Sequence, residues 1–237
     1  MIELAFNFAH FFKVSDLKKK IEDLLDKDGL SGSVITTPDL FYIVKDILKD
    51  QSSVTIDVEC FPLVENGETA EYFEFNDAAF AVISEANLET GVRIPTAPLE
   101  IPIPKIVIRA ADVLPETAAL TARLRDELLE KFPFSRSNTP AESPLFLPNT
   151  FSISFRNING EAIAAQLFER GMNVMTGSAC ASPNKKPSKT LQAMNVPYDL
   201  AMGSIHFSLG PEINEKDIDL LIEHLTDIIG QMLKYSF

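Results

Sequence analysis

Cys180 stands in the stretch VMTGSACASPNKKPSK, with Thr176, Gly177, Ser178 and Ala179 before it and Lys185, Lys186 and Lys189 after it. A thiol in such company suits nucleophilic chemistry. Small neighbours permit close approach and motion of the loop, and ammonium groups nearby favour the thiolate. The same composition also suits an unreactive loop cysteine, since a run of lysines is more often a solvated face. The second thiol, Cys60, alternates with polar residues alongside Val54, Ile56 and Val58 and is expected on an apolar strand face. His206 lies in SIHFSLG, on the face opposite Ile205, Phe207 and Leu209, where a satisfied histidine is the default over any ligand role. Cys60, Cys180 and His206 show no paired ligand spacing, so no metal site is expected.

The bulk properties narrow the setting of that chemistry. The chain has 237 residues, 46% of them hydrophobic, enough for a real core in one large or two modest domains. A formal net charge of -13 disfavours nucleic acid and anionic membrane surfaces as partners. No apolar run approaches the roughly 20 residues of a membrane helix, and the first residues lack the basic leader and cleavage site of a signal peptide. The expected compartment is the cytoplasm, where two cysteines do not make a disulfide framework.

The elements that must position Cys180 alternate between helix and strand, without an internal repeat. Leu17, Ile21, Leu24 and Leu25 recur at helical spacing behind a Ser15 cap, SVITT reads as a strand, LFYIVKDILKD as a helix, and FAVISEA as a strand. RIPTAPLEIPIPK carries four prolines and is the expected organisational boundary, dividing the chain into regions 1–104 and 105–237. Beyond it KIVIRA reads as a strand, ETAALTARLRDELLEKF as a helix and FSRSNTPAESPLF as a surface loop. TFSISF is expected as a half-buried strand, GEAIAAQLFERG as a helix closed by Gly171, and the stretch after Asn214 as a final helix with Ile218, Leu221, Ile222, Leu225 and Ile229 buried. The second region is therefore an α+β unit with Cys180 in a loop between its elements.

Three of these stretches, LPNTFSISF, GMNVMTGSACASPNKKPS and GSIHFSLGPEINEKDID, resemble in order and spacing the small domain of cysteine desulfurases of the NifS/IscS type, over about residues 116–237. Upstream, VISEANLETGVRIP is similar to that family's Asn-Asn-Glu-x-Gly segment beside the cofactor, and SVITTPDLFYIVKD to the strand and helix before it. The resemblance implies an α/β fold of the type I pyridoxal-phosphate transferase kind, with a truncated large-domain remnant followed by an α+β small domain. It further implies removal of sulfur from cysteine, with a persulfide left on the loop cysteine that Cys180 matches.

Several positions depart from the family pattern. The Schiff-base lysine follows a histidine there, whereas His10, His206 and His224 precede no lysine here. The ring-stacking histidine is matched by Phe41, which can stack but cannot exchange a proton. The segment that would bring both the pyridinium aspartate and the lysine is replaced by the proline-rich connector. The arginine that clamps the substrate carboxylate is matched by His206, without the permanently charged fork. Asn87, Glu89 and Gly91 persist from the cofactor-side motif, with a turn after a strand as their plain role.

These departures set the expectation of a degenerate desulfurase-like protein, involved in iron-sulfur cluster biogenesis and not self-sufficient as a pyridoxal-phosphate enzyme. No cofactor is expected unless another chain supplies the site. Cys180 either handles sulfur as a persulfide or stands unused in a silent binding module; an active desulfurase completed by a second chain is the remaining alternative. Candidate partners are an active desulfurase, a sulfur acceptor or scaffold protein, and a second copy of the chain.

Overall fold

The computed structural model describes residues 2–5, 14–28, 33–49, 58–60, 78–93, 103–109, 113–140, 146–176 and 186–234. Its first sheet is entirely parallel: β1 (Ile2–Ala5), β2 (Ser33–Thr36), β3 (Val58–Cys60), β4 (Ala78–Ser84) and β5 (Lys105–Arg109) lie in the order β1-β5-β4-β2-β3. The central strand β4 reads AAFAVIS and is buried continuously from Ala79 to Ser84, as a parallel strand covered on both faces requires. Helix α1 (Val14–Asp28) presents Leu17, Ile21 and Leu24 to one face of the sheet. Helix α2 (Phe41–Lys49) adds Val44, Ile47 and Leu48, and all six pack in one core with Phe80, Val82, Ile106 and Ile108. Each such side chain contributes about 1.5–3 kcal/mol by leaving water. Ile35, Ala81 and Ile83 form a smaller cluster on the opposite face.

β5 pairs with β1 and β4, so this sheet extends past residue 104 and the change of sheet falls after Arg109. The β-branched run of KIVIR fills a position between two strands. The other part of the expected strand VTIDVECFPLV, beyond Val58–Cys60, lies outside the described residues.

The second sheet is antiparallel, with β6 (Ser135–Ser137), β7 (Thr150–Phe155) and β8 (Ser204–Ser208) in the order β6-β7-β8. Helices α3 (Pro115–Lys131), α4 (Gly160–Glu169) and α7 (Glu215–Lys234) build its core around Phe151, Ile153 and Phe155. Their ends are chemically marked. Pro115 opens α3 at the position where a missing N–H costs nothing. Asn159 caps α4 by accepting from Glu161 N at 2.9 Å and Ala162 N at 3.2 Å, and Gly171, at φ +82, takes the left-handed conformation that closes it. Asn214 caps α7 by accepting from Lys216 N at 3.0 Å, and Asp217 Oδ2 accepts from Asn214 N at 3.0 Å.

Two expectations change. FSRSNTPAESPLF is not wholly a loop, because Ser135–Ser137 forms the edge strand β6; a three-residue polar edge leaves no period for sequence reading to detect. β7 is buried on both faces rather than one. Ser152 and Ser154, which alternation assigns to solvent, instead accept from Asn138 Nδ2 at 3.2 and 2.9 Å, so the polar face is covered by the strand exit that follows β6. Two short helices, α5 (Lys189–Ala193) and α6 (Tyr198–Ala201), make a satellite cluster from Leu191, Met194, Val196, Leu200 and Ala201. No described helix is long and apolar enough to cross a membrane.

Candidate functional site

The two sheets meet at the turn that follows β4. Asn87 shapes that turn: its Oδ1 accepts from Glu89 N and Thr90 N at 3.0 Å each, and its backbone N–H donates to Val92 O at 2.8 Å. Gly91 closes the turn at φ +76, and a Cβ there would stand 2.9 Å from Thr150 Cβ. The turn is fastened to the second sheet by main chain and side chain alike. Leu147 N donates to Gly91 O at 2.8 Å, Thr139 Oγ1 to Thr90 O at 2.8 Å, and Asn87 Nδ2 to Thr190 Oγ1 at 3.1 Å. Asn87, Glu89 and Gly91 thus do more than end a strand; they hold the two halves together.

Glu89 is only 5% exposed and reaches Ser204 at the start of β8, whose Oγ donates to Glu89 Oε1 at 3.4 Å. Burial pushes its carboxyl up to about 7, helped by the charge of Asp39 and opposed by hydroxyls of Ser188, Ser204 and Thr190. Asp39 sits in a 3₁₀ turn (Pro38–Leu40) between β2 and α2. Its Oδ2 accepts from Leu88 N at 2.9 Å, while its Oδ1 is sealed from water with no hydrogen-bond partner among the described residues. Burial raises its carboxyl above the ordinary range despite hydrogen bonds from Thr37, Leu88 and Ser84. Sequence reading passed over Asp39, Ser188, Thr190 and Ser204. An aspartate in the first turn of a helix is ordinary, and only the fold shows that this one faces a second acid.

Phe41, which the resemblance matches to the family's stacking histidine, begins α2. The ammonium of Lys189, from α5, lies 4.8 Å from its ring centroid, and that of Lys45 lies 5.5 Å away. Lys189 is therefore directed at an aromatic ring of the first half. Lys186 is exposed, and Lys185 lies outside the described residues.

His206 occupies the middle of β8, opposite Ser152 of β7. Its backbone also exchanges hydrogen bonds with Met175, His206 N to Met175 O at 2.8 Å and Met175 N to His206 O at 3.2 Å. Its Nδ1 is buried without a partner among the described residues, and burial lowers its pKa to about 4, so the ring is neutral at physiological pH. Thr176, next to Met175, is buried; Gly177, Ser178, Ala179 and Cys180 lie outside the described residues, as does the side chain of Cys60. The structure thus places His206 at the root of the cysteine-bearing stretch. Among the described residues no group of three or more histidine, cysteine or acidic side chains is spaced to hold a metal ion.

Residues 107–221 match the class-V aminotransferase family. The chain is 35% identical over 136 residues to the cysteine desulfurase IscS of Clostridium botulinum, covering 56% of this chain and 34% of that protein. It is 44% identical over 89 residues to a cysteine desulfurase of Enterobacter agglomerans, covering 38% of this chain and 22% of the relative. It therefore spans about a third or less of the length of these relatives. Among solved structures it is similar to a NifS-like protein, with a TM-score of 0.68 at 16% identity over 92% of this chain and 80% of the other. It is also similar to the cysteine desulfurase CsdA of Escherichia coli, with a TM-score of 0.60 at 10% identity over 92% and 84%. The architecture is that of fold type I pyridoxal-phosphate enzymes. Within that class, the match of residues 107–221 to the class-V aminotransferases and the similarity to cysteine desulfurases support a cysteine desulfurase-family fragment.

The ring of Phe41 is thus engaged by two ammonium groups, two acids with raised pKa values stand at the turn after β4, and His206 presents a neutral ring.

Proposed function

We propose that the chain is a sulfur-handling relative of the cysteine desulfurases that does not run pyridoxal-phosphate chemistry by itself, and that Cys180 accepts persulfide sulfur. The observation that carries this reading is His206. A carboxylate clamp requires a fixed positive charge, and a histidine whose burial holds it neutral near physiological pH supplies none. The conversion of free cysteine within this chain then lacks its substrate anchor. The resemblance around Cys180 is meanwhile intact from Thr176 to Ala179. A thiol can take sulfur without the cofactor: its thiolate attacks the outer sulfur of a donor persulfide, the donor's S–S bond breaks, and the donor departs as a thiolate while Cys180 becomes the persulfide. Sulfur and charge are conserved in that exchange. A cytoplasmic setting and a desulfurase, sulfur acceptor or scaffold protein as partner are part of the same proposal.

The test is intact mass after incubation with a small-molecule persulfide or an active, persulfidated desulfurase. Wild type should gain about 32 Da, the mass of one sulfur, reversibly with reductant, and Cys180→Ser should gain nothing. No gain on wild type, or an equal gain on the serine variant, would leave a catalytically silent binding module as the better account.

A further inference from the structure

The acids at the junction have a geometry that sulfur transfer does not use. Glu89 comes from the turn after β4 and Asp39 from the 3₁₀ turn before α2. Against them stand Ser188 and Thr190 of the α5 region and Ser204 of β8, all buried. Asp39 Oδ2 accepts at 2.9 Å from the N–H of Leu88, the residue next to Glu89, and its Oδ1 is buried without a partner among the described residues. Glu89 Oε1 accepts from Ser204 Oγ at 3.4 Å, so the two acids share one buried corner and the charge of Asp39 raises the pKa of Glu89. Their other partners are hydroxyls and backbone N–H groups, which can solvate one carboxylate but cannot neutralise two.

We propose that Glu89 and Asp39 form a proton-operated latch between the two halves, closed while the pair carries at most one charge and loosened when both acids are ionised. The charged groups near the pair among the described residues fit this role. From α5, Lys189 directs its ammonium to the Phe41 ring, and from α2 Lys45 does the same. From β8, His206 is neutral and lies two residues beyond Ser204. Glu85 and Arg93 flank the turn at its outer ends, where Ala86 bridges to Arg93. Ionising Glu89 therefore adds a second negative charge at the junction with no cation seated on it among the described residues. The relief available is separation, which lets water reach both carboxylates. Because Ser188 and Thr190 belong to the segment that α5 begins, the loosening acts on α5 and on the start of β8, while the α3–α7 core is untouched. This inference stands independently of persulfide chemistry at Cys180.

Hydrogen–deuterium exchange on the full chain at pH 5, 6, 7 and 8.5, corrected for the intrinsic pH dependence of amide exchange, reads the latch directly. In wild type, amides of residues 84–93, 189–194 and 204–208 should open more readily as pH rises, by up to about tenfold per pH unit below 7, and level off above it. Glu89→Gln should remain closed and pH-independent at those amides, with α3 and α7 alike in both proteins. Equal pH slopes in wild type and the glutamine variant would overturn the latch, as would a slope in α7 as steep as that at the junction. If Glu89→Gln does not fold, Asp39→Asn decides: with one acid left the pair never carries two charges, so the rise in opening with pH must be lost at those amides, and a wild-type pH slope in this variant rejects the proposal.

Discussion

Lys189, the first residue of α5, holds its ammonium 4.8 Å from the centroid of Phe41, the first residue of α2, so the two halves of the chain are joined by a cation over an aromatic face. Such a contact is worth about 0.5–1 kcal/mol at a partly exposed site. Its larger consequence is for occupancy, because a planar cofactor would have to displace the ammonium to stack on that ring. Adding pyridoxal phosphate to the purified protein should therefore give no visible absorbance band that a single lysine substitution abolishes. A saturable band of that kind, seen in a spectrophotometric titration, would overturn the reading of the site as unfit for the cofactor.

The two thiols should differ in reactivity. Cys60 lies in β3, in register with Thr36, and the sequence alternation of Val54, Ile56, Val58 and Cys60 predicts an apolar face for its side chain. Cys180 follows a small-residue lead-in and precedes a lysine run in a chain of formal net charge -13. After a brief iodoacetamide pulse on the folded protein, peptide mass spectrometry should find Cys180 modified and Cys60 protected. Equal protection of both would remove the ground for Cys180 as a sulfur acceptor.

Much of this architecture was legible because its elements satisfy local rules. The run of β4, the 3–4 spacing of Leu17, Ile21 and Leu24, and the stripe from Ile218 to Ile229 each report their own burial. What stayed hidden depends on pairing across long stretches of chain. Ser152 and Ser154 read as exposed because alternation cannot see Asn138 covering them. Glu89 read as a turn residue because nothing near it in sequence says that Asp39, Ser188 and Ser204 will surround it. KIVIR was legible as a strand but not as the partner of both β1 and β4, since strand order follows from the packing of helices that lie elsewhere in the chain. At the site itself, the types at Phe41 and His206 were readable as departures. Their physical meaning, a ring engaged by lysines and an imidazole held neutral, required the fold.

Gly91 should tolerate no side chain. Its φ of +76 is strained for any residue with a Cβ, and that Cβ would meet Thr150 Cβ at 2.9 Å, across the contact that pins the turn to β7. Gly91→Ala should destabilise the protein by about 1–3 kcal/mol, the usual cost of a non-glycine residue in sparsely populated backbone space. Urea denaturation followed by circular dichroism measures this. A loss below about 0.5 kcal/mol would show that the turn and β7 yield independently.

Glu89 and His206 should impose opposite pH dependences on stability. The folded pKa of Glu89 is raised from 4.5 to about 7, so the folded state binds more protons than the unfolded state between those values. Its contribution is full below about pH 4.5 and is lost as pH rises to about 7. The folded pKa of His206 is lowered from 6.5 to about 4, so there the unfolded state binds more protons. Its contribution is full above about pH 6.5 and is lost as pH falls to about 4. Each amounts to roughly 2–3 kcal/mol across its window, and between pH 4.5 and 6.5 they oppose each other in the wild-type chain. Glu89→Gln should therefore gain stability relative to wild type as pH rises through that window, and His206→Asn should lose it. Chemical denaturation of the three proteins at pH 4.5, 5.5, 6.5 and 7.5 tests both signs at once. Variant curves that run parallel to wild type, displaced by a constant amount, would mean that neither side chain changes its protonation on folding.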